Sequence, residues 1–302
     1  MPGYVDLQVN GYAGVDFNAD GTSPIDFVTA CKALQADSVS AILPTLITDD
    51  VARLCDRIRA IVNARNEHSV VADIVQGIHL EGPFLNPKPG FIGAHPVAHA
   101  QSANLDSVKR LYDASDGLLR IVTLAPECDP NFAVTRWLAD QGIVVSAGHC
   151  DPSRDQLCEA IDAGLTMFTH LGNACPLQQH RHDNIIQRAL SLADRLMIGF
   201  IADGIHVPFF ALRNYLRLTG IERSFIVTDA ISAAGQGPGQ YLLQGQKVIV
   251  DEQLATWCED RSHLVGSAIT MPRVAENLRN ELGLSQQEVD QLTRENSLRI
   301  LS

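Results

Sequence analysis

The chain is short of positive charge. Its 302 residues carry 23 Lys and Arg against 35 Asp and Glu, a formal net charge of −12. A nucleic-acid partner needs a basic surface against its phosphates, so this deficit argues against one. A small anionic ligand stays possible, because a few local cations can hold it against the global field. No apolar run approaches the length of a membrane span, and the N-terminus lacks the basic-then-apolar order of a signal peptide. The seven cysteines are odd in number, scattered and never spaced as CxxC. They read as reduced thiols of a cytoplasmic protein, not as a disulfide framework. Low-complexity linkers and short repeats are absent. So is a GxGxxG after the first strand, which weakens a dinucleotide-binding open sheet.

What is present is an alternation. Eight β-branched or aliphatic runs recur: "YVDLQVN", "SVSAILPTL", "DIVQGIHLE", "LRIVTLAP", "GIVVSAGH", "LTMFTHL", "LMIGFIAD" and "RSFIVTDA". Most are apolar until their last residues, which suits parallel strands buried on both faces. Helix signals lie between them. Ser23, Pro24 and Asp26 form an N-cap, a first-turn proline and a capping-box acid. Val51, Leu54, Cys55, Ile58, Ile61 and Val62 make one apolar stripe. Asp129 and Asp151 repeat the cap-then-proline start, and Gly164 and Gly220 mark helix stops. Eight β-then-α units over about 230 residues fit a (β/α)8 TIM barrel, and 46% hydrophobic residues supply its core. We expect one domain over 1–302, with a short β insertion at about 240–263 and C-terminal helices at about 268–300.

In such a barrel the chemistry sits at the C-terminal ends of the strands. Those ends read Gln8 and Asn10, then Glu81, His149, His170, Asp203 with His206, and Asp229. A carboxylate with two imidazoles is a common zinc set that leaves a position for water, and a further carboxylate can serve as general base. A single histidine at a strand end is more often a hydrogen-bonded structural residue. It is the coincidence of several at one rim that points to a site. In the first strand, Asp6, Gln8 and Asn10 alternate with Val5, Leu7 and Val9, so three polar side chains share one face. His79 shares the Glu81 face and reads as structural or supporting. Glu127 receives no role, His180 and His182 read as solvent-facing, and Cys150 and Cys175 as packed thiols.

Six segments carry a resemblance: "GIHLEGPFLNP", "VVSAGHCDPS", "FTHLGNACP", "IADGIHV", "VTDAISAAG" and "LVGSAITM". In order and spacing they resemble the signatures of the N-acetylglucosamine-6-phosphate deacetylase family of the amidohydrolase superfamily, over nearly the whole chain. The resemblance implies an amidohydrolase-like barrel, here without the family's small β-sandwich. It implies one divalent ion per subunit, held by Glu81, His149 and His170. Zinc suits that set, and iron, manganese or cobalt also fit. Gln8 and Asn10 stand where many amidohydrolases place a His-x-His pair for a second metal, and neutral amides are poor ligands for one. Both are therefore expected to hydrogen-bond around a single ion, with Asp6 a buried acceptor below them.

By the same resemblance Asp229 is the acid–base, and His95 polarises the acetyl carbonyl. Metal-bound hydroxide is the nucleophile. Asn173, Ala174, Arg181 and His206 contact the sugar phosphate. The partners implied are a small amino-sugar phosphate and a second copy of the chain in a homodimer, with no nucleic acid and no membrane. The galactosamine epimer is an alternative substrate, since nothing in the sequence reads the 4-hydroxyl. Another mononuclear amidohydrolase would lack the Arg181–His206 pair. A non-catalytic sugar-phosphate-binding homologue would have lost Asp229 or a ligand.

Overall fold

In the computed structural model, which describes residues 3–302, the eight apolar runs pair in chain order into one parallel sheet. Its strands are β1 (Tyr4–Val9), β2 (Val39–Ile47), β3 (Ile78–Glu81), β4 (Leu119–Leu124), β5 (Val144–Ala147), β6 (Leu165–Phe168), β7 (Met197–Ile201) and β8 (Ser224–Val227). Register follows the buried pattern. Ile47 lies beside Glu81, Glu81 beside Thr123, and Ala147 beside Phe168. The sheet curls back on itself at the C-terminal end. There the Asp229 amide donates to the Gln8 carbonyl at 3.0 Å, and the Asn10 amide donates to the Ala230 carbonyl at 2.7 Å. The result is a TIM barrel.

A helix follows each strand and buries one stripe against it. These are α1 (Pro24–Ala36), α2 (Val51–Glu67) with the short α3 (Ser69–Ile74), α4 (Leu105–Ala114), α5 (Ala133–Asp140), α6 (Arg154–Asp162), α7 (Ile185–Leu190), α8 (Phe209–Thr219) and α9 (Met271–Asn280). On α2 the stripe from Val51 to Val62 is buried. A separate apolar cluster fills the barrel itself, with Leu7, Leu43, Ile121, Met167 and Phe225 among its members. Ile300 and Leu301 of the last helix pack against it. Burying such side chains stabilises by about 1.5–3 kcal/mol each relative to exposure.

Helix starts follow the sequence in one place and depart from it in two. Ser23 caps α1 with the expected reciprocal bonds to Asp26. Asp129 does not open a helix at Pro130. Asn131 and Phe132 take left-handed φ values of 54° and 53°, and α5 begins only at Ala133. The Asp129 carboxylate still reaches it, accepting from the amides of Val134 and Thr135 at 3.1 and 2.8 Å. Asp151 is not the cap of α6 either. Ser153 is, in a capping box with Gln156, while Asp151 pairs with Arg188 at 2.8 Å.

Beyond β8 an antiparallel sheet of β9 (Gly239–Leu243), β10 (Gln246–Val250) and β11 (Thr256–Cys258) stands over the barrel mouth. The chain then returns through α9, α10 (Gln286–Asp290), a π-helical turn over Gln291–Glu295 and α11 (Asn296–Leu301).

Candidate active site

The strand ends bring the candidate residues together by a repeated device. His149, His170, Asp203 and Asp229 each lie two residues past the last residue of their strand, on β5, β6, β7 and β8. His149, His170 and Asp229 hold left-handed φ values of 50°, 31° and 52°. Such values are uncommon outside glycine and cluster where function requires them. The kink aims these side chains across the barrel mouth instead of outward.

Glu81 is the hub. Its Oε1 accepts from Gln8 Nε2 at 3.1 Å and lies 2.8 Å from His170 Nε2 and 3.3 Å from His149 Nε2. Its Oε2 lies 3.7 Å from His95 Nε2. Gln8 Nε2 also donates to Asp229 Oδ1 at 3.1 Å, and Asn10 Nδ2 donates to the same oxygen at 2.7 Å. Gln8 thus ties the candidate ligand Glu81 to the candidate base Asp229, and Asn10 steadies Asp229 alone. All of these side chains are buried.

The donor set fits a cation. His149 Nδ1 lies 2.8 Å from the Phe91 carbonyl, so that nitrogen carries the hydrogen. With its hydrogen there, the ring can turn a lone pair on Nε2 toward a carboxylate oxygen. Two acceptors facing each other are reconciled by a proton or a metal cation between them. Nδ1 of His170 and Oδ1 of Asn10 are buried without a partner. The electrostatics agree. Burial opposes the charge on Glu81, but the imidazoles of His170 and His149 outweigh it and hold the carboxyl well below its ordinary range. Burial likewise opposes charge on His170, and Glu81 raises its pKa nonetheless. Burial, then the Glu81 carboxylate, push Asp229 up to about 6.

Glu81, His95 and His149 place one ligand atom each within 4.8 Å of one another, a grouping that includes His95 and not His170. The hydrogen bonds separate the two. The Thr48 amide donates to His95 Nδ1, which leaves the hydrogen on Nε2 and makes that face a donor, not a ligand. His170 meets Glu81 directly.

These groups line a cavity of about 50 Å³ together with Asn10, Asn173, Ala174, Leu243 and Leu264. It has room for an ion and a water, and less than a sugar phosphate needs. A larger cavity of about 770 Å³ lies alongside, between Asp20, Arg57 and Gln244, but it lacks the convergent imidazoles. His206 stands just outside the small cavity. Its Nδ1 is 2.6 Å from Asp203 Oδ2, and its side chain is almost wholly buried. Arg181 is exposed on the loop between β6 and α7 and does not line the cavity.

Other residues fall into supporting places. His79 joins Leu7 O at 3.0 Å and Thr123 Oγ1 at 2.8 Å. Thr123 continues a buried hydroxyl chain through Thr169 to Ser146 beneath the site. Burial holds His79 neutral, with its pKa lowered to about 4. Asp6 accepts from Thr228 Oγ1 at 2.5 Å and the Thr228 amide at 3.2 Å. Glu127 clamps two loops by accepting from Asn86 and the Asp151 amide. Sequence reasoning missed Thr48, the Phe91 carbonyl, and the wall residues Leu243 and Leu264. Thr48 stands as a polar residue just past an apolar strand, but a threonine there does not stand out from the strand itself.

Among the described residues no helix is long and apolar enough to cross a membrane, and the seven cysteines are free. No protein-family model matches the chain. Known proteins do. The N-acetylglucosamine-6-phosphate deacetylase of Bacillus subtilis is 32% identical over 306 residues, covering 100% of this chain and 75% of that protein. The N-acetylgalactosamine-6-phosphate deacetylase of a Shewanella species is 32% identical over 288 residues, covering 94% and 69%. A Mycobacterium smegmatis N-acetyl-D-glucosamine-6-phosphate deacetylase, solved as an aspartate-to-alanine variant with N-acetyl-D-glucosamine-6-phosphate, superposes with a TM-score of 0.88. That match has 28% identity and covers 100% of this chain and 77% of that one. The chain belongs to the N-acetylglucosamine-6-phosphate deacetylase family, enzymes that hydrolyse a linear amide.

Proposed function

We propose that the protein hydrolyses the acetamide of N-acetyl-D-glucosamine 6-phosphate, releasing D-glucosamine 6-phosphate and acetate. The observation that carries this reading is the convergence of Glu81, His149, His170 and Asp229 on one cavity at the barrel mouth, with Gln8 joining Glu81 to Asp229.

Glu81, His149 and His170 would hold one divalent ion. Zinc suits two imidazoles and a carboxylate. Such an ion supplies Lewis acidity, lowering the pKa of water and polarising a carbonyl. The chain's own residues do the rest. Asp229 accepts the proton of the attacking water as its oxygen bonds to the carbonyl carbon. Asp229 then delivers that proton to the amide nitrogen as the C–N bond breaks, so the amine leaves neutral. Gln8 and Asn10 hold the Asp229 carboxylate in place from one side. His95, with its hydrogen on Nε2, donates to the carbonyl oxygen as charge grows there. Asn173 and Ala174 border the sugar. Arg181 and His206 take the phosphate, which requires the exposed loop carrying Arg181 to fold inward on binding.

A second reading, the galacto epimer, is favoured by a relative of that name at the same 32% identity as the Bacillus protein. Acetate release measured on both epimeric 6-phosphates and on unphosphorylated N-acetylglucosamine, with metal analysis of the same sample, decides. The expected result is hydrolysis of the gluco 6-phosphate by protein holding about one ion per chain. Equal activity on the unphosphorylated sugar overturns the phosphate assignment, and activity confined to the galacto epimer overturns the substrate.

A further inference from the structure

Three side chains of metal-ligating type meet at the end of β11 and in the turn that follows it, away from the catalytic cluster. Cys258 Sγ lies 3.0 Å from Asp260 Oδ1 and 3.4 Å from His263 Nδ1. The three atoms all fall within 4.8 Å of one another. Nothing in the proposed mechanism uses them. We propose that Cys258, Asp260 and His263 form a second metal site, selective for a soft or borderline divalent ion of the zinc type.

The distances suit the chemistry. Zinc binds thiolate sulfur at about 2.3 Å and imidazole nitrogen or carboxylate oxygen at about 2.0–2.2 Å. Tetrahedral ligands at those lengths stand about 3.3–3.7 Å apart, so the sulfur–nitrogen pair is already spaced for a shared ion. The sulfur–oxygen pair needs only a few tenths of an ångström of opening. The turn is pre-shaped for the purpose. The Cys258 amide donates to the His263 carbonyl at 3.1 Å, and the Arg261 amide donates to the Cys258 carbonyl at 2.9 Å. The His263 amide points at Cys258 Sγ from 3.4 Å. The Ser262 amide holds Asp260 Oδ1 at 3.0 Å. The ligands lie on one exposed turn, which leaves the fourth position to solvent. A thiolate in the set selects against magnesium and calcium.

The place gives the ion a consequence. His263 precedes Leu264, which pairs with Trp257 across the turn and lines the catalytic cavity. An ion here clips the base of the turn and stiffens that wall.

The full chain, stripped of metal, is titrated with Co2+. A thiolate-to-cobalt charge-transfer band in the near ultraviolet is expected, saturating at the intensity of one thiolate–cobalt bond per chain and displaced by Zn2+. The catalytic cluster has only nitrogen and oxygen donors and gives no such band, so failure of the deacetylase reading leaves this result untouched. Cys258→Ser should abolish the band while leaving acetate release intact, and His263→Ala should weaken Co2+ binding at least tenfold. Zn2+ should also protect one thiol from a soluble disulfide reagent in the unsubstituted protein, which tests the site without any variant. No band, a band that survives Cys258→Ser, or no protected thiol overturns the proposal.

Discussion

The backbone amide of Thr48 lies 3.2 Å from Nδ1 of His95, and the Thr48 hydroxyl lies 2.9 Å from the same nitrogen. An N–H can only donate, so Nδ1 accepts and the His95 hydrogen resides on Nε2, the nitrogen that faces Glu81. Burial, and then the neighbouring His149, hold the His95 pKa down to about 3, so it donates as a neutral ring. Gly82 makes room for this contact. It has φ of +96°, and a Cβ there would collide with the Thr48 hydroxyl.

Thr48→Val keeps the amide donor and loses the hydroxyl that steadies the ring. Loss of a partner one step removed from the chemistry commonly costs ten- to a hundredfold. We expect kcat to fall about tenfold with metal content unchanged, and Thr48→Ser to restore it. Nitrogen chemical shifts of His95 should show Nε2 protonated in the wild type. Unchanged turnover in the valine variant means that the ring is held by other contacts.

Asp229→Asn is the sharper test of the base. The asparagine keeps an oxygen for the Gln8 and Asn10 donors, which now bond Oδ1 at 3.1 and 2.7 Å, so the local structure should survive. What it loses is the capacity to take and return a proton. General acid–base catalysis is worth about 10²–10⁴ in rate, and kcat should fall by that much with metal content preserved. Near-normal turnover would sink the assignment.

How much of this was legible in the sequence depends on the level. The eight strands were readable because parallel strands buried on both faces leave near-continuous apolar runs. The polar residues that break those runs at the C-terminal end could be read as site candidates by the same rule. What the pattern hid is that His149, His170 and Asp229 have already left the strand in left-handed turns. Thr48 followed the rule too, but threonine is also a good strand former and so raised no signal. The Phe91 carbonyl that orients His149 is backbone and leaves no side-chain trace. The proline at 130 promised a helix start that Asn131 and Phe132 refuse.

Asp6 gives a pH prediction separate from activity. Burial pushes its pKa up to about 7, against an ordinary value near 3.8, even though three donors from Thr228 and Gln8 favour the charged form. The folded state therefore keeps this proton at pH values where the unfolded chain has released it. By linkage, stability falls as pH rises from about 4 to about 7, at up to about 1.4 kcal/mol per unit, and levels off above that window. Asp6→Asn removes the titration. Urea unfolding of both proteins at pH 5 and pH 8 should show the wild type losing about 3 kcal/mol relative to the variant between them. Parallel pH profiles would show that Asp6 stays charged throughout.

Arg181 tests whether an exposed loop residue belongs to the site. The small cavity has no room for a hexosamine phosphate as it stands, and Arg181 lies outside its lining. Its assignment therefore rests on the loop between β6 and α7 closing over the phosphate. That loop leaves β6 after Phe168, turns at Gly172 with φ of +95°, and ends where Asn184 caps α7. Charge-assisted bonds from a guanidinium to phosphate contribute about 1.5–3 kcal/mol. Arg181→Ala should then raise KM for the 6-phosphate by about ten- to a hundredfold and leave any slow turnover of unphosphorylated N-acetylglucosamine unchanged. His206 provides the contrast, because it is already buried and fixed by Asp203 at 2.6 Å. If Arg181→Ala slows both substrates equally, the loop supports the site's structure and does not read the phosphate.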